Sequence, residues 1–169
     1  MIETITHKNQ DYPFFQKTGN AARFCRPFAQ EVCLGFGIDV GCAKKEWAYV
    51  DRNGMPALMC DPVIDPECEA LKLPPGHFDY IHSSHSIEHY PNWVDALDYW
   101  QKKLKVGGVL FLYLPDYSQS YWRVWSNRKH VHTFTPQIIK DYLTDRGWKN
   151  IFVSGVDLNN SFMAMAEKA

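Results

Sequence analysis

The strongest constraint on the fold of this chain is the run VLFLYL at residues 109–114, which contains only apolar side chains. A strand without polar alternation is covered on both faces, as in the interior of a parallel sheet that lies between layers of helices. Pro115 ends the run, because proline has no N–H to donate to a neighbouring strand. The run therefore predicts an α/β protein whose central strand lies at residues 109–114.

Strand and helix signals alternate along the rest of the chain. Short apolar pieces bounded by turn residues predict further strands, at residues 34–40, 47–50, 57–60, 78–84, 151–155 and 161–166. Helices are predicted where apolar side chains recur every three or four residues or follow a proline at the first turn, beginning at Pro27, Val94 and Pro136. This alternation favours parallel strands with helices outside, and the short link before the last strand indicates an antiparallel final pair.

Size and charge limit the class of protein. A chain of 169 residues can form one domain with a sizeable core, and its 46% hydrophobic content excludes a disordered chain. The net charge of −1 disfavours a nucleic-acid partner bound through its phosphates. No apolar run approaches the ~20 residues of a membrane span, and the first residues lack the pattern of a signal peptide. We expect a cytoplasmic protein with no membrane partner.

The cysteine pattern agrees with that location. No two cysteines form a CxxC pair, which argues against a zinc ribbon or a thioredoxin-like motif. Their odd number suits free thiols in a reducing compartment, and we expect most of them to be small buried side chains. The five are Cys25, Cys33, Cys42, Cys60 and Cys68.

The segment GIDVGCAKK contains the end of the first central strand, where a glycine-rich turn lets the backbone approach a ligand. It resembles the first motif of the class I S-adenosylmethionine-dependent methyltransferases: an apolar residue, an acid, any residue, and then Gly-x-Gly-x-Gly. Asp39 and Gly41 match this motif, and Cys42 lies where the family often has cysteine. Ala43 and Lys45 replace the next two glycines. Lys45 either pairs with the carboxylate of the cofactor, obstructs the pocket or lies in solvent.

The resemblance also implies an acid near the end of the second strand that accepts hydrogen bonds from the ribose hydroxyls of the cofactor. Asp51 in AYVD occupies this place in a short-looped branch of the family, and Asp61 competes with it in the branch with a longer helix. We expect Asp51 to bind the ribose and Asp61 to lie nearer the adenine. Alternatively, Asp61 only forms a turn with the adjacent Pro62.

A third stretch, EALKLPPGHFDYIHSSHSIEHYPNW, resembles the most recognisable part of the family: a leucine-proline turn, Phe-Asp, an apolar strand, two small residues and an apolar-Glu-His segment. Ser83 and Ser84 are the two small residues, and the resemblance places them at the cofactor. The match continues through LKVGGVLFLYLPD and HVHTFTP, and runs from about residue 33 to the end of the chain.

The resemblance implies a Rossmann-like three-layer sandwich with a mostly parallel sheet, an antiparallel C-terminal strand and trimmed helices after the first two strands. We expect a single domain over residues 1–169, with an N-terminal lid and helix segment at 1–32 and the core at 33–169. The implied cofactor is S-adenosylmethionine, with S-adenosylhomocysteine as its product.

His85, Glu88 and His89 spell HxxEH, a zinc-peptidase signature in which two histidines on one helical face bind the metal. That function requires a helix through all three residues, whereas here they follow a predicted strand and precede Pro91. We therefore predict no metal site.

Methyl transfer from a sulfonium depends mainly on positioning, and a general base is needed only if the acceptor arrives protonated. His85, His130 and His132 are the candidate bases, because histidine titrates near neutral pH. Each of them could instead cap a loop or bind a backbone carbonyl.

Residues 116–132 combine aromatic and basic side chains, a mixture that can bind a sugar, phosphate or carboxylate group by stacking and by charge. The candidate acceptor-binding residues are Tyr117, Trp122, Arg123 and Arg128. We expect this segment to form the wall of the acceptor site, with Phe14, Phe15 and Phe24 as its lid. The alternative is an aromatic loop that closes the edge of the core.

We therefore expect methyl transfer from S-adenosylmethionine to a small polar acceptor, such as a saccharide or a cell-envelope precursor. The expected partner is this small molecule, with no nucleic acid and no membrane, and a homodimer is left open. The alternative is a non-catalytic protein of the same fold whose pocket is altered by Ala43 and Lys45. A nucleotide-binding oxidoreductase is disfavoured, because the glycine spacing is not GxGxxG.

Overall fold

The computed structural model describes residues 4–7, 9–13 and 21–169. Near the amino terminus, β1 (Thr4–His7) and β2 (Gln10–Pro13) form an antiparallel hairpin that is a sheet of its own. The sequence analysis predicts no strands in this segment. A second sheet, with six strands, contains the rest of the described strands.

The six-stranded sheet consists of β3 (Gly37–Val40), β4 (Leu58–Cys60), β5 (Phe78–Ser84), β6 (Leu104–Pro115), β7 (Lys149–Val153) and β8 (Ser161–Glu167). The α-helices are α1 (Ala22–Val32), α2 (Glu69–Lys72), α3 (Trp93–Lys103) and α4 (Pro136–Asp145). Single 3-10 turns lie at Lys45–Trp47, Ile87–His89 and Ser120–Trp122. Among the described residues, none of the helices has the length and hydropathy that a membrane span requires.

The strands of this sheet lie in the order β4-β3-β5-β6-β8-β7. The first four are parallel, and β8 is antiparallel to both of its neighbours. This order confirms the predicted α/β fold with an antiparallel C-terminal strand. The predicted trimming is also confirmed, because only a 3-10 turn lies between β3 and β4 and only the four-residue α2 lies between β4 and β5.

The central strand β6 is covered on both faces, as the VLFLYL run predicts. Leu110 and Leu112 pack in a buried cluster with side chains of α3 and α4. Phe111 and Tyr113 point to the opposite face and pack against α1. The strand begins at Leu104, earlier than predicted, and pairs there with the first residue of β5. The sheet therefore lies between two layers of helices.

The first helix begins at Ala22, so the prediction that it starts at Pro27 was wrong. Cys25 and Ala29 are buried one turn apart, and this apolar stripe continues across the proline. Pro27 cannot donate to the carbonyl of Arg23, but both residues are exposed and water can reach that carbonyl. The proline therefore lies within the helix at low cost.

The strand predicted at residues 47–50 was also wrong. That segment contains the end of a 3-10 turn and an isolated bridge between Val50 and Pro56. The N–H of Tyr49 donates to Oδ2 of Asp39 at 2.8 Å instead of to a strand, and β4 pairs with β3 directly. Of the other predicted elements, β5 has the predicted bounds and α4 begins at the predicted Pro136, whereas the rest are present with shifted ends.

Gly37 in β3 provides a test of the packing on the α1 face of the sheet. A Cβ at this position would overlap the ring of Tyr80, which is fully buried. We expect Gly37→Ala to lower the free energy of unfolding by ~1–3 kcal/mol, the usual range for an over-packed core, as measured by urea denaturation. Gly155→Ala is the matched control, because a Cβ there meets no atom within 4 Å. Equal stability of the two variants would contradict close packing of Tyr80 on β3.

Candidate active site

The loops that follow the four parallel strands all begin at one edge of the sheet. Ligands of open α/β sheets bind at this carboxyl edge. The loops comprise residues 41–57, 61–77, 85–92 and 116–135. They contain every candidate site residue predicted from the sequence except Asp39, Ser83 and Ser84, which lie in strands.

The turn after β3 depends on glycine at position 41. Gly41 has a φ of +84°, and its N–H donates to the carbonyl of Cys60 at the end of β4. A Cβ at position 41 would overlap Oγ of Ser86, which follows β5. The loops after β3 and β5 are therefore in direct contact.

Asp61 follows β4 and holds the backbone of this glycine turn. Its Oδ2 accepts a hydrogen bond from the N–H of Ala43 at 2.9 Å, and its Oδ1 accepts from the N–H of Val63. Ala43 has a φ of +60°, a left-handed position that glycine adopts more readily than alanine. Each carboxylate oxygen of Asp61 keeps a further lone pair with which it can bind a ligand.

Asp39 is buried and bonded entirely within the protein. It lies opposite His82 of β5 in the sheet register, and its Oδ1 accepts from Nδ1 of His82 at 2.8 Å. Its Oδ2 accepts from Tyr49, whose ring stacks on one face of His82 while Phe111 stacks on the other. Asp39 therefore positions the loop and does not itself face a ligand. The sequence analysis missed its bond to His82, although both residues lie within predicted strands.

The structure does not bring Asp51 together with the glycine turn, contrary to our expectation. Its Oδ1 accepts hydrogen bonds from the N–H groups of Asn53 and Met55, and so closes a tight turn. The N–H groups of Met55, Asn53 and Gly35 lower the pKa of Asp51. Gly35 precedes β3, whereas Gly41 follows it, so Asp51 lies at the opposite end of that strand.

Cys42 and Lys45, the two remaining candidate residues in the loop after β3, have different surroundings. Cys42 is buried, and its burial raises the pKa of the thiol to about 12, so this sulfur is an inert thiol at neutral pH. Lys45 is exposed and begins the 3-10 turn. An exposed side chain does not fill the space at Gly41, which disfavours the alternative that Lys45 obstructs the pocket.

The two serines that end β5 also differ. Ser83 donates its hydroxyl to the carbonyl of Val40 at 2.9 Å and so ties β5 to β3. The hydroxyl of Ser84 is buried and has no hydrogen-bond partner among the described residues. Ser84 therefore offers an unsatisfied polar group at the carboxyl edge, whereas Ser83 has a structural bond.

A cluster of ionisable side chains surrounds Glu88, which is completely buried. Its Oε1 lies 3.7 Å from Nε2 of His130 and 3.9 Å from both Nε2 of His89 and Nδ1 of His85. Neither oxygen of Glu88 has a hydrogen-bond partner within the described part of the chain. Burial raises the pKa of Glu88 to about 8 and lowers the pKa values of His85 and His130 to about 3. The Glu88 cluster (His85, Glu88, His89 and His130) thus brings together two of the predicted bases.

A small recess adjoins the Glu88 cluster. It is lined by Pro115, Asp116, Gln119, Trp122, His130, His132 and Thr133. The ring of Trp122 stacks on His130 at 4.6 Å, and Nε2 of His132 donates to the carbonyl of Pro91. Gln119 has a buried carbonyl oxygen without a partner among the described residues. The recess therefore combines an aromatic wall with polar groups.

The other candidate acceptor residues lie on a more exposed surface. The guanidinium of Arg123 stacks over the ring of Tyr117 at 4.3 Å, and its Nε donates to the Tyr117 carbonyl. Arg128 is exposed. Of the three residues expected to form a lid, Phe24 lies on α1 and is 44% exposed, while residues 14–15 lie outside the described residues.

Several solved methyltransferase structures have this fold. Among solved structures, an S-adenosylmethionine-dependent methyltransferase from Archaeoglobus fulgidus has a TM-score of 0.62 at 16% identity, over 88% of this chain and 92% of that chain. The N-methyltransferase NodS from Bradyrhizobium japonicum, solved with S-adenosyl-l-homocysteine, has a TM-score of 0.61 at 15% identity, over 92% and 91%. A chain from the Haloferax volcanii complex of a methyltransferase with the Trm112 activator has a TM-score of 0.65 at 11% identity, over 88% of both chains. At these identities the similarity shows the fold.

The family assignment rests on the sequence and not on the structural similarity. A search of curated protein sequences gives no match. The methyltransferase domain family matches residues 18–153, which is most of the chain. This match confirms the predicted resemblance, the methyltransferase class of the enzyme and S-adenosylmethionine as its cofactor, and it removes the oxidoreductase alternative. The chain belongs to the methyltransferase domain family.

Proposed function

We propose that this protein transfers the methyl group of S-adenosylmethionine to a small polar acceptor that binds at the carboxyl edge of the sheet, over the recess beside Trp122. The observation that carries the proposal is the contact between Gly41 and Ser86, which joins the glycine turn to the loop of the Glu88 cluster. His130 belongs to both that cluster and the recess. The donor and acceptor sites therefore share one edge of the sheet, as direct transfer requires.

The residues at the glycine turn fit S-adenosylmethionine. Asp61 offers carboxylate lone pairs at the end of β4, and charge-assisted bonds of this kind suit ribose hydroxyls. The unsatisfied hydroxyl of Ser84 lies at the same edge. Lys45 provides an exposed ammonium that can pair with the carboxylate of the methionine moiety. In this proposal Asp61 takes the role that the sequence analysis gives to Asp51.

The recess determines which acceptors fit. The bound cofactor supplies an electrophilic methyl group on a sulfonium, and the chain must hold an acceptor in line with it. Trp122 offers an aromatic wall, while Asp116 and Gln119 offer oxygen atoms that accept hydrogen bonds from hydroxyls. A saccharide or a saccharide-bearing envelope precursor combines hydroxyls with an apolar face and matches this lining.

His132 is the best placed of the three candidate bases. Its Nε2 donates to the carbonyl of Pro91 at 3.1 Å, which leaves Nδ1 able to accept a proton. The lowered pKa values of His85 and His130 make both imidazoles neutral and weakly basic at neutral pH. These two histidines are therefore better suited to accept hydrogen bonds or to bind a ligand than to remove a proton.

Cofactor binding by isothermal titration calorimetry tests the donor site. We expect the wild type to bind S-adenosylhomocysteine and Asp61→Asn to bind it at least ~10-fold more weakly, a loss of ~1.4 kcal/mol. Asp51→Asn is the matched control and should keep the wild-type affinity, because Asp51 lies at the other end of β3. A greater loss in Asp51→Asn, or no binding by the wild type at millimolar ligand, would contradict the proposal.

The backbone of the glycine turn gives a second test. Alanine at the left-handed position 43 carries strain, whereas Ala48 has a φ of −53° and carries none. We expect Ala43→Gly to unfold in urea with at least the wild-type free energy, and Ala48→Gly to lose ~0.4–1 kcal/mol. Equal losses in the two variants would show that position 43 is not left-handed.

The acceptor site is tested by transfer of labelled methyl groups to a panel of monosaccharides, nucleotide sugars and small amines. We expect a saccharide substrate whose KM rises at least ~10-fold in Trp122→Ala, because binding in the recess is lost. Trp125→Ala is the matched control, since Trp125 is 62% exposed and does not line the recess. Methylation of amines alone would contradict the saccharide assignment.

A further inference from the structure

We propose that Glu88, His89 and His130 form a binding site for a divalent transition-metal ion at the carboxyl end of β5. Each residue contributes one ligand atom, and these atoms all lie within 4.8 Å of one another. Two of the three residues come from the HxxEH segment that the sequence analysis rejected as a metal site. The third comes from the loop between β6 and α4.

The separations between these atoms suit a shared ion better than they suit hydrogen bonds. Oε1 of Glu88 lies 3.7 Å from Nε2 of His130 and 3.9 Å from Nε2 of His89. These distances are too long for hydrogen bonds. Zinc binds carboxylate oxygens and imidazole nitrogens at ~2.0–2.2 Å, so two ligands of one ion are ~3.4 Å apart or slightly more. A small inward shift of the side chains would complete the site.

The surroundings of Glu88 independently indicate that a cation binds here. Its side chain is completely buried, and neither of its oxygens has a hydrogen-bond partner among the described residues. A buried carboxylate without a partner is strongly unfavourable unless it is paired or binds a metal. No lysine or arginine forms an ion pair with Glu88 in the described part of the chain; the ionisable groups that face it are histidines.

The histidines are already oriented as metal ligands. Nδ1 of His89 donates to the carbonyl of Lys129 at 2.7 Å, so Nε2 keeps its lone pair on the side of Glu88. Metal-binding histidines commonly make such a second hydrogen bond, which fixes their tautomer and ring orientation. His130 is held by its stacking on Trp122. The carbonyl of Glu88 accepts from the N–H groups of residues 131–132, which fixes the two segments relative to each other.

Two imidazoles and one carboxylate favour zinc, iron(II), cobalt(II) or a similar first-row ion, with positions left open for water or substrate. Nδ1 of His85 also lies near Glu88, and Nε2 of His85 is already bonded to Ser161. The side chain of His89 is 44% exposed, which gives the ion a path from solvent. An acceptor hydroxyl bound to the ion would lose its proton more readily. This effect on the acceptor hydroxyl rests on the proposed function, whereas the metal site itself does not.

Metal binding by the chelator-stripped full chain tests the site. Zinc is titrated by calorimetry, and cobalt(II) is followed by its visible absorption, which reports the coordination geometry. We expect one ion per chain and a loss of affinity of at least ~10-fold in both His89→Ala and Glu88→Gln. His89 is partly exposed, so its variant tests the site even if Glu88→Gln fails to fold.

His77→Ala is the matched control, because His77 directly precedes β5 and contacts Phe36 and Phe78 at the other end of that strand. It should bind zinc as the wild type does. Absence of zinc and cobalt binding by the wild type, or equal affinity in His89→Ala and the wild type, would overturn the proposal. Titration of the metal-free wild type with S-adenosylhomocysteine bears only on the proposed function, so the two proposals can fail separately.

Discussion

The buried carboxylate of Asp39 holds together the part of the fold on which the candidate sites depend. Its two oxygens accept hydrogen bonds from His82 of β5 and from the backbone of Tyr49. Burial of a carboxyl group is tolerable only with such hydrogen-bond partners. One side chain therefore fixes β3, β5 and the shortened segment between β3 and β4 relative to one another. This arrangement determines where Gly41 starts its turn and where the loop after β5 meets it.

The trimmed helices explain why acids in this region bind backbone amides. A loop that replaces a helix leaves N–H groups without helical partners, and buried N–H groups must be satisfied. Asp61 satisfies the amides of Ala43 and Val63, and Asp51 satisfies two amides of its own turn. Both acids thus have the same local role. The two acids lie at opposite ends of β3, and this difference in position makes Asp61 the candidate cofactor ligand.

The sequence predicts the elements whose pattern is local and misses contacts between distant segments. Strands are correctly predicted at VLFLYL and FDYIHSS, because both are short segments with several apolar side chains. The strand at VLFLYL begins earlier than predicted. The cap of α4 is also local, since Thr135 accepts from the N–H of Ile138. By contrast, the bond between Asp39 and His82 joins residues 43 positions apart. No periodicity in the sequence indicates such a bond. The same carboxyl group binds the N–H of Tyr49, within the segment 47–50 that was wrongly predicted as a strand.

The HxxEH segment lacks the helix of a zinc peptidase but still brings potential metal ligands together. The residues do not form the helix that a zinc peptidase needs, since only the turn Ile87–His89 is present. That turn nevertheless buries Glu88 and presents His89 to a histidine from a distant loop. The same short loop carries Ser86, which contacts Gly41, and the Glu88 carbonyl, which holds the segment next to His130. The short loop after β5 therefore contacts the glycine turn through Ser86 and contains Glu88, so the two candidate sites are joined by neighbouring residues of one loop.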